Sequence, residues 1–262
     1  MKIAASSEVE RLLANVRLTA EACLTIFPAG IGETDKKPAV VRICGGRMEL
    51  PPLTPAALAP SPKTVLRMKT RGRLLVNHGG GVLENANLCL HPHFGCPYIS
   101  GSAVKGIARH DAWCQWDDAR KAGLSADENP DDLSLCIVDL FGFPTGNREL
   151  DEAAIHAGHV KKGSACAGSV AFLPAFPTTA EPGMLEPDIL NSHERRNLVP
   201  VYFPAVRAGV EFEFAIAAAG KPSLFGDGAS ELAVGFLRSG LENHGIGAKT
   251  NAGYGWFEEV EP

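Results

Sequence analysis

The chain has no surplus of positive charge. Its 25 Lys and Arg stand against 30 Asp and Glu, for a formal net charge of −5. A generic nucleic-acid binder neutralises phosphates with excess cations, so indiscriminate binding is excluded and any such role must be local. Paired cysteines are also missing: the seven are odd in number and contain no CxxC spacing, which excludes a disulfide framework and predicts a reducing, cytoplasmic home. No apolar run approaches membrane-spanning length, and Met1 to Glu10 lacks the basic stretch and apolar core of a signal peptide. Neither export nor membrane insertion is expected. What the chain does have is 45% hydrophobic residues over 262 positions, ample for a core.

Charge is unevenly spread. Residues 63–109 hold seven Lys or Arg against Glu84 alone, whereas 110–160 hold three against eleven Asp or Glu. This predicts one basic and one acidic face, the second open to a protein partner. Residues 1–62 read as an N-terminal extension ending in a Pro-rich linker near 50–62, where Pro51, Pro52, Pro55, Pro60 and Pro62 forbid a continuing regular element. From Thr64, Val65, Leu66, Met68, Thr70 and Leu74–Val76 interleave with Arg67, Lys69, Arg71 and Arg73, predicting a strand with a basic face that ends at His78 to Gly81. A second strand, Pro97 to Ile99, feeds a helix with Ser102 as its N-cap. The acidic stretch 117–132 reads as loop and Cys166 to Phe172 as a strand. Val210, Phe212, Phe214 and Ile216 alternate with Glu211 and Glu213 as a half-exposed strand. Ala229, Leu232, Ala233, Phe236 and Leu237 fall at helical spacing, and Tyr254 to Val260 makes a last strand. The order is α+β. It fits a ferredoxin-like, RNA-recognition-motif-like domain over 63–262, with insertions, an acidic one near 117–160, and a C-terminal glycine-rich loop.

Two motifs carry chemistry. In Pro97–Arg109 a strand turns through Gly101 and Ser102 into a helix whose N-terminal N–H groups and dipole attract anions, while Lys105 and Arg109 share a face. An ordinary capped helix with solvated cations is the alternative. In the second, Gly245-Ile246-Gly247 and Gly253-Tyr254-Gly255 bracket Ala248, Lys249, Thr250, Asn251 and Ala252. Glycine permits positive φ and close backbone approach, which suits a loop that tracks phosphates. A mobile hairpin is its plain alternative. Neither is a P-loop or a dinucleotide fingerprint, since the Gly-Lys-Ser/Thr order and a following βαβ unit are absent. Cys89, His91, His93 and Cys96 cluster, and His110 with Cys114 falls at i, i+4, but these spacings match no standard zinc site. No metal and no cofactor are expected. His78, His91 or His110 could serve a nuclease as general base only with an orienting partner.

Together the motifs resemble the RAMP superfamily of CRISPR type III effector proteins, whose glycine loop has the same Gly-apolar-Gly, five residues, Gly-apolar-Gly pattern. Tyr98 to Ser102 with Lys105-Gly106 resembles that superfamily's strand-to-helix signature. Arg73 to Val76, Leu88 to His91 and Gly245 to Gly255 resemble, more narrowly, the sixth-subunit family of type III-B (Cmr) complexes. The likeness covers about 64–115 and 185–258. Ser100 stands where the family usually has proline. Asp188 to His193 looks like a stretch beside the guide-binding surface.

The resemblance implies a non-catalytic subunit capping a filament near the guide RNA 3′ region, where guide and target RNA pair. Its implied partners are the guide and target RNAs and other Cmr-type subunits, in an antiviral ribonucleoprotein. The implied RNA-binding set is Gly101, Ser102, Lys105, Arg109, His193, Gly245, Gly247, Lys249, Thr250, Asn251, Gly253 and Gly255, contacting backbone while base pairing supplies specificity. A guide-processing endoribonuclease of the same superfamily and a nucleotide-binding α+β protein are the alternatives.

Overall fold

The computed structural model describes residues 3–5, 26–28, 37–61, 63–79, 87–122, 130–191 and 200–260. In chain order the elements are β1 (Ile3–Ala5), β2 (Ile26–Pro28), α1 (Lys37–Cys44), α2 (Pro55–Leu58), β3 (Lys63–Thr70), α3 (Gly101–Ala122), α4 (Pro130–Phe141), β4 (Gly142–Phe143) and α5 (Arg148–His156). There follow β5 (Cys166–Ala167), β6 (Val170–Phe172), β7 (Phe176–Pro177), β8 (Leu185–Asn191), β9 (Pro200–Val206), β10 (Glu211–Ala218), α6 (Ala229–Asn243) and β11 (Phe257–Glu259). Short 3-10 turns occupy Gly226–Gly228 and Thr250–Ala252. The fold is mixed α/β, and its sheets are antiparallel apart from the short β1–β2 pair, which is parallel.

The central sheet runs β11-β3-β10-β6, with β7 also on β10. Alternation sets its register: Phe212 lies opposite Met68 and Phe214 opposite Leu66. These side chains, with Ile216 and Phe257, are buried against α3 and α6. Phe257 meets Phe212 and Phe214 edge to face, at centroid distances of 6.0 and 5.6 Å. Each such ring contributes roughly 1.5–3 kcal/mol by leaving water. The helices pack antiparallel, with Ile107 against Gly240 and Asp111 bonded to Ser239. That arrangement brings Ile107 to Asp111 of α3 to the end of α6, from which the glycine run departs.

Several sequence expectations are corrected. The basic strand stops at Thr70 instead of running to His78, because Gly72 passes under Gly253, where a Cβ would stand 2.5 Å from the carbonyl oxygen. Pro97 to Ile99 makes only single bridges, Pro97 to Leu90 and Ile99 to Ala175. Cys166 to Phe172 splits at Gly168, which abuts the Leu140 carbonyl, and at Ser169, whose N–H donates to Asp139. The stretch 117–132 is not a loop throughout: α3 extends to Ala122 and α4 starts at Pro130, and Asp117 pairs with Arg120 (2.8 Å) and Lys121 in the last turn of α3. The Pro-rich segment holds one helical turn, because Pro55 occupies its first position and Thr54 caps it. Lys63 Nζ donates to the Ala56 carbonyl, so α2 sits beside the outer face of the sheet.

Candidate nucleic-acid interface

The glycine run is a backbone crossing. The Ile246 N–H donates to the Gly255 carbonyl (2.8 Å), Gly255 to Arg73 (2.7 Å) and Ala248 to Leu75 (2.8 Å). A Cβ on Gly247 would stand 2.2 Å from the Leu75 oxygen, and one on Gly255 1.9 Å from the Ile246 oxygen. Glycine is therefore required by close packing as well as by positive φ. Leu75, Phe203, Ala205 and Tyr254 form a small buried cluster beneath it. The Tyr254 hydroxyl donates to Asp188 on β8, and burial with that contact pushes its pKa up to about 12.

This geometry redistributes the expected phosphate donors. The N–H groups of Gly245, Gly253 and Gly255 are engaged within the protein, bonded to Gly240, Thr250 and Arg73. Among the described residues, those of Gly247, Lys249, Thr250 and Asn251 have no internal acceptor. Lys249 is left-handed (φ 62°, ψ 32°) and leads directly into the 3-10 turn, a succession that turns neighbouring N–H groups toward one concavity. Its ammonium is exposed, 6.0 Å from the Phe203 ring centroid.

At the start of α3 the cap is Ser100, not Ser102. Ser100 Oγ accepts from the Ala103 N–H (3.3 Å), and Ser102 Oγ lies 3.0 Å from it. Ser100 thus fixes by hydrogen bonding a turn that a proline at this position would fix by its ring. Gly101 abuts the Phe172 carbonyl, where a Cβ would lie 2.3 Å away. Lys105 is not a free cation: its Nζ donates to the Phe141 carbonyl at the end of α4 (2.8 Å), and burial and then Arg109 lower its pKa. Arg109 lies over Trp113 (4.9 Å) with Nε buried and, among the described residues, without a hydrogen-bond partner. His193 lies outside the described residues.

The basic stripe is paired. Arg67 meets Glu213 (3.2 Å) and Lys69 meets Glu258 (3.1 Å), with Arg71 also near Glu258 (3.8 Å). Arg73 bonds Glu186, which raises its pKa, and lies 3.3 Å from Asp188. A continuous phosphate-tracking strand is therefore not what this sheet presents. Asp188 does place the start of the 188–193 segment beside the glycine run.

Of the histidines weighed as bases, His78 is buried edge-on to Phe203, and His91 packs on Phe94 with Nδ1 facing the His93 and Phe94 N–H groups. A histidine that does have an orienting carboxylate is His244, whose Nε2 is 3.2 Å from Asp111 Oδ1. Sequence reading missed it because its partner is distant along the chain. Its only local signal was adjacency to Gly245.

The family model of the RAMP superfamily matches residues 67–258. CRISPR system Cmr subunit Cmr6 of Pyrococcus furiosus is 28% identical over 239 residues, an alignment spanning 74% of this chain and 67% of that protein. The chain is also similar to a chain of a type III-B Cmr-beta complex bound to cognate target RNA (20% identity, TM-score 0.49). That match covers 79% of this chain and spans only 61% of the Cmr-beta chain. The crystal structure of Cmr6 from P. furiosus is 22% identical with a TM-score of 0.42, covering 76% of this chain and 98% of that one. A chain of a type IV-B CRISPR complex is 12% identical with a TM-score of 0.49, covering 76% and 89%.

Proposed function

From the premise that this chain belongs to the RAMP superfamily, we propose that it is a non-catalytic, RNA-binding subunit of a type III-B (Cmr-type) CRISPR effector complex. In this role it caps the filament near the guide RNA 3′ region, in the cytoplasm, and holds the guide–target duplex together with neighbouring subunits. Residues 63–262 form its RAMP domain. The ferredoxin-like reading of that domain is supported by the β11-β3-β10-β6 order, with α3 and α6 as the two crossover helices.

The observation that carries the proposal is the turn at Lys249 to Asn251. The glycine crossing presents the exposed Lys249 ammonium and, among the described residues, a group of N–H donors with no internal acceptor, donors suited to a phosphate backbone. Gly247 belongs to the same surface, and Gly101 and Ser102, at the start of α3, are kept in the proposed set. Lys105 and Arg109 take secondary parts, the first holding α4 and the second stacked on Trp113. Gly245, Gly253 and Gly255 shape the turn, and His193 is kept in the proposed RNA-contacting set.

The test is reconstitution with Cmr-type subunits and guide RNA, comparing Lys249→Glu with the unaltered chain. Guide retention should fall and its salt dependence weaken by about one phosphate contact. Unchanged retention would refute the assignment. RNA cleavage by the purified chain that disappears in His244→Gln would instead establish the nuclease reading.

A further inference from the structure

We propose that His110, Cys114 and His244 form a zinc site that clips α3 to the end of α6 at the root of the glycine run. Among the described residues these three make the one His, Cys, Asp or Glu group whose ligating atoms lie close enough for a common ion, all within 4.8 Å of one another. His110 and Cys114 are one turn apart on α3, and His244 is the C-cap of α6. His110 Nε2 stands 3.8 Å from Cys114 Sγ. Two ligands at ordinary Zn–N and Zn–S bond lengths around a tetrahedral ion lie about 3.5 Å apart, so this edge needs little adjustment. The two imidazoles meet edge-on with centroids 4.9 Å apart, leaving a gap that small rotations can convert into a shared ligand position.

The surroundings fit a metal site as well. Asp111 is buried and lies beside the His244 ring, 3.2 Å from Nε2. It is itself fixed by Ser239 Oγ (2.8 Å) and Gln115 Nε2 (2.7 Å). A carboxylate held in this way orients a ligating histidine and fixes its tautomer. Two imidazoles and a thiolate suit zinc better than magnesium or calcium, which take oxygen ligands. His110 is exposed, so the fourth tetrahedral position opens to solvent. Because His244 directly precedes Gly245, the ion would fix the point from which the crossing departs.

The test uses the full chain stripped with a chelator. Zinc should bind at one equivalent in competition with a chromophoric chelator, and Co2+ should give a tetrahedral spectrum with a thiolate charge-transfer band. Zinc should also raise the melting temperature. Cys114→Ser and His244→Gln should each weaken binding at least tenfold, and Asp111→Asn by about 10- to 100-fold. The His91→Gln/His93→Gln double variant should bind as the unaltered chain does. Absence of stoichiometric zinc, a Co2+ spectrum without the thiolate band, or binding that follows His91 and His93 would overturn the site. Should Cys114→Ser fail to fold, the Co2+ spectrum of the unaltered chain decides the question.

Discussion

Replacing Gly255 with alanine separates the structural role of the glycine run from its surface role. The residue has φ +73°, which costs an L side chain about 1–2 kcal/mol. Its new Cβ would stand 1.9 Å from the Ile246 carbonyl oxygen, inside any tolerable contact. Relief requires the two arms of the crossing to part, which breaks the bond from the Ile246 N–H to the Gly255 carbonyl, worth about 1 kcal/mol net. The two costs sum to roughly 2–3 kcal/mol. At about 2–4 °C per kcal/mol for a chain of this size, the melting temperature should fall by roughly 4–12 °C. Gly253→Ala is the internal reference: φ is +90°, but no atom lies within 4 Å of the added carbon, so only the conformational cost of about 1–2 kcal/mol applies. Thermal denaturation followed by circular dichroism measures both. Equal shifts in the two variants, or a larger one in Gly253→Ala, would refute the close-packing account.

Lys249→Glu should change thermal stability by no more than about 0.5 kcal/mol, since the side chain is exposed and unbridged among the described residues, while it lowers RNA retention in the assembled complex. Lys105→Met should do the reverse, destabilising the chain by about 1–3 kcal/mol in urea titration as the Phe141 carbonyl loses its ammonium donor. Ser100→Ala should cost about 1 kcal/mol by the same measurement, the value of an N-cap. Burial pushes the thiols of Cys44, Cys96 and Cys136 from 9.0 up to about 12, 11 and 12. The unfolded chain therefore ionises first: stability is complete below pH 9.0 and declines as pH rises toward 11, by up to about 1.4 kcal/mol per unit for each thiol. Unfolding midpoints that stay flat across that range would contradict this burial.

Local patterns were legible where one face is buried and one is wet. The alternation in β10 and the helical spacing in α6 reflect contact with a core that the sequence already marks, so both elements lie where the sequence predicts them. The end of β3 was not legible, because Thr70 is terminated by Gly253, a residue far along the chain whose approach leaves no local signature at Gly72. Acid density at 117–132 was misread as loop because part of it serves helix ends: Asp117 pairs with Arg120 in the last turn of α3, and Asp131 and Asp132 fall in the first turn of α4. At the candidate interface the glycine spacing was legible, but which N–H groups the fold itself engages was not. Glycine's two properties, positive φ and the lack of a Cβ, are indistinguishable in sequence. Only the crossing shows that most of the run's N–H groups face inward.

The paired basic stripe limits what this chain can do by itself. Arg67, Lys69, Arg71 and Arg73 each have a carboxylate within 4.0 Å, so RNA must compete with Glu213, Glu258, Glu186 and Asp188 for them. Affinity that rests on phosphate neutralisation grows with the number of phosphates contacted, at a slope of about −0.7 in log salt per contact on a single strand. A surface with Lys249 as its exposed cation supplies few such contacts. An isolated chain of this design should therefore hold RNA weakly and lose it at moderate salt. In the proposed assembly, neighbouring subunits contacting the same strand would turn its local contact into an intramolecular event at high effective concentration. The net charge of −5 is compatible with that proposed division, since a subunit that bound RNA tightly only within an assembly would not sequester unrelated RNA while free.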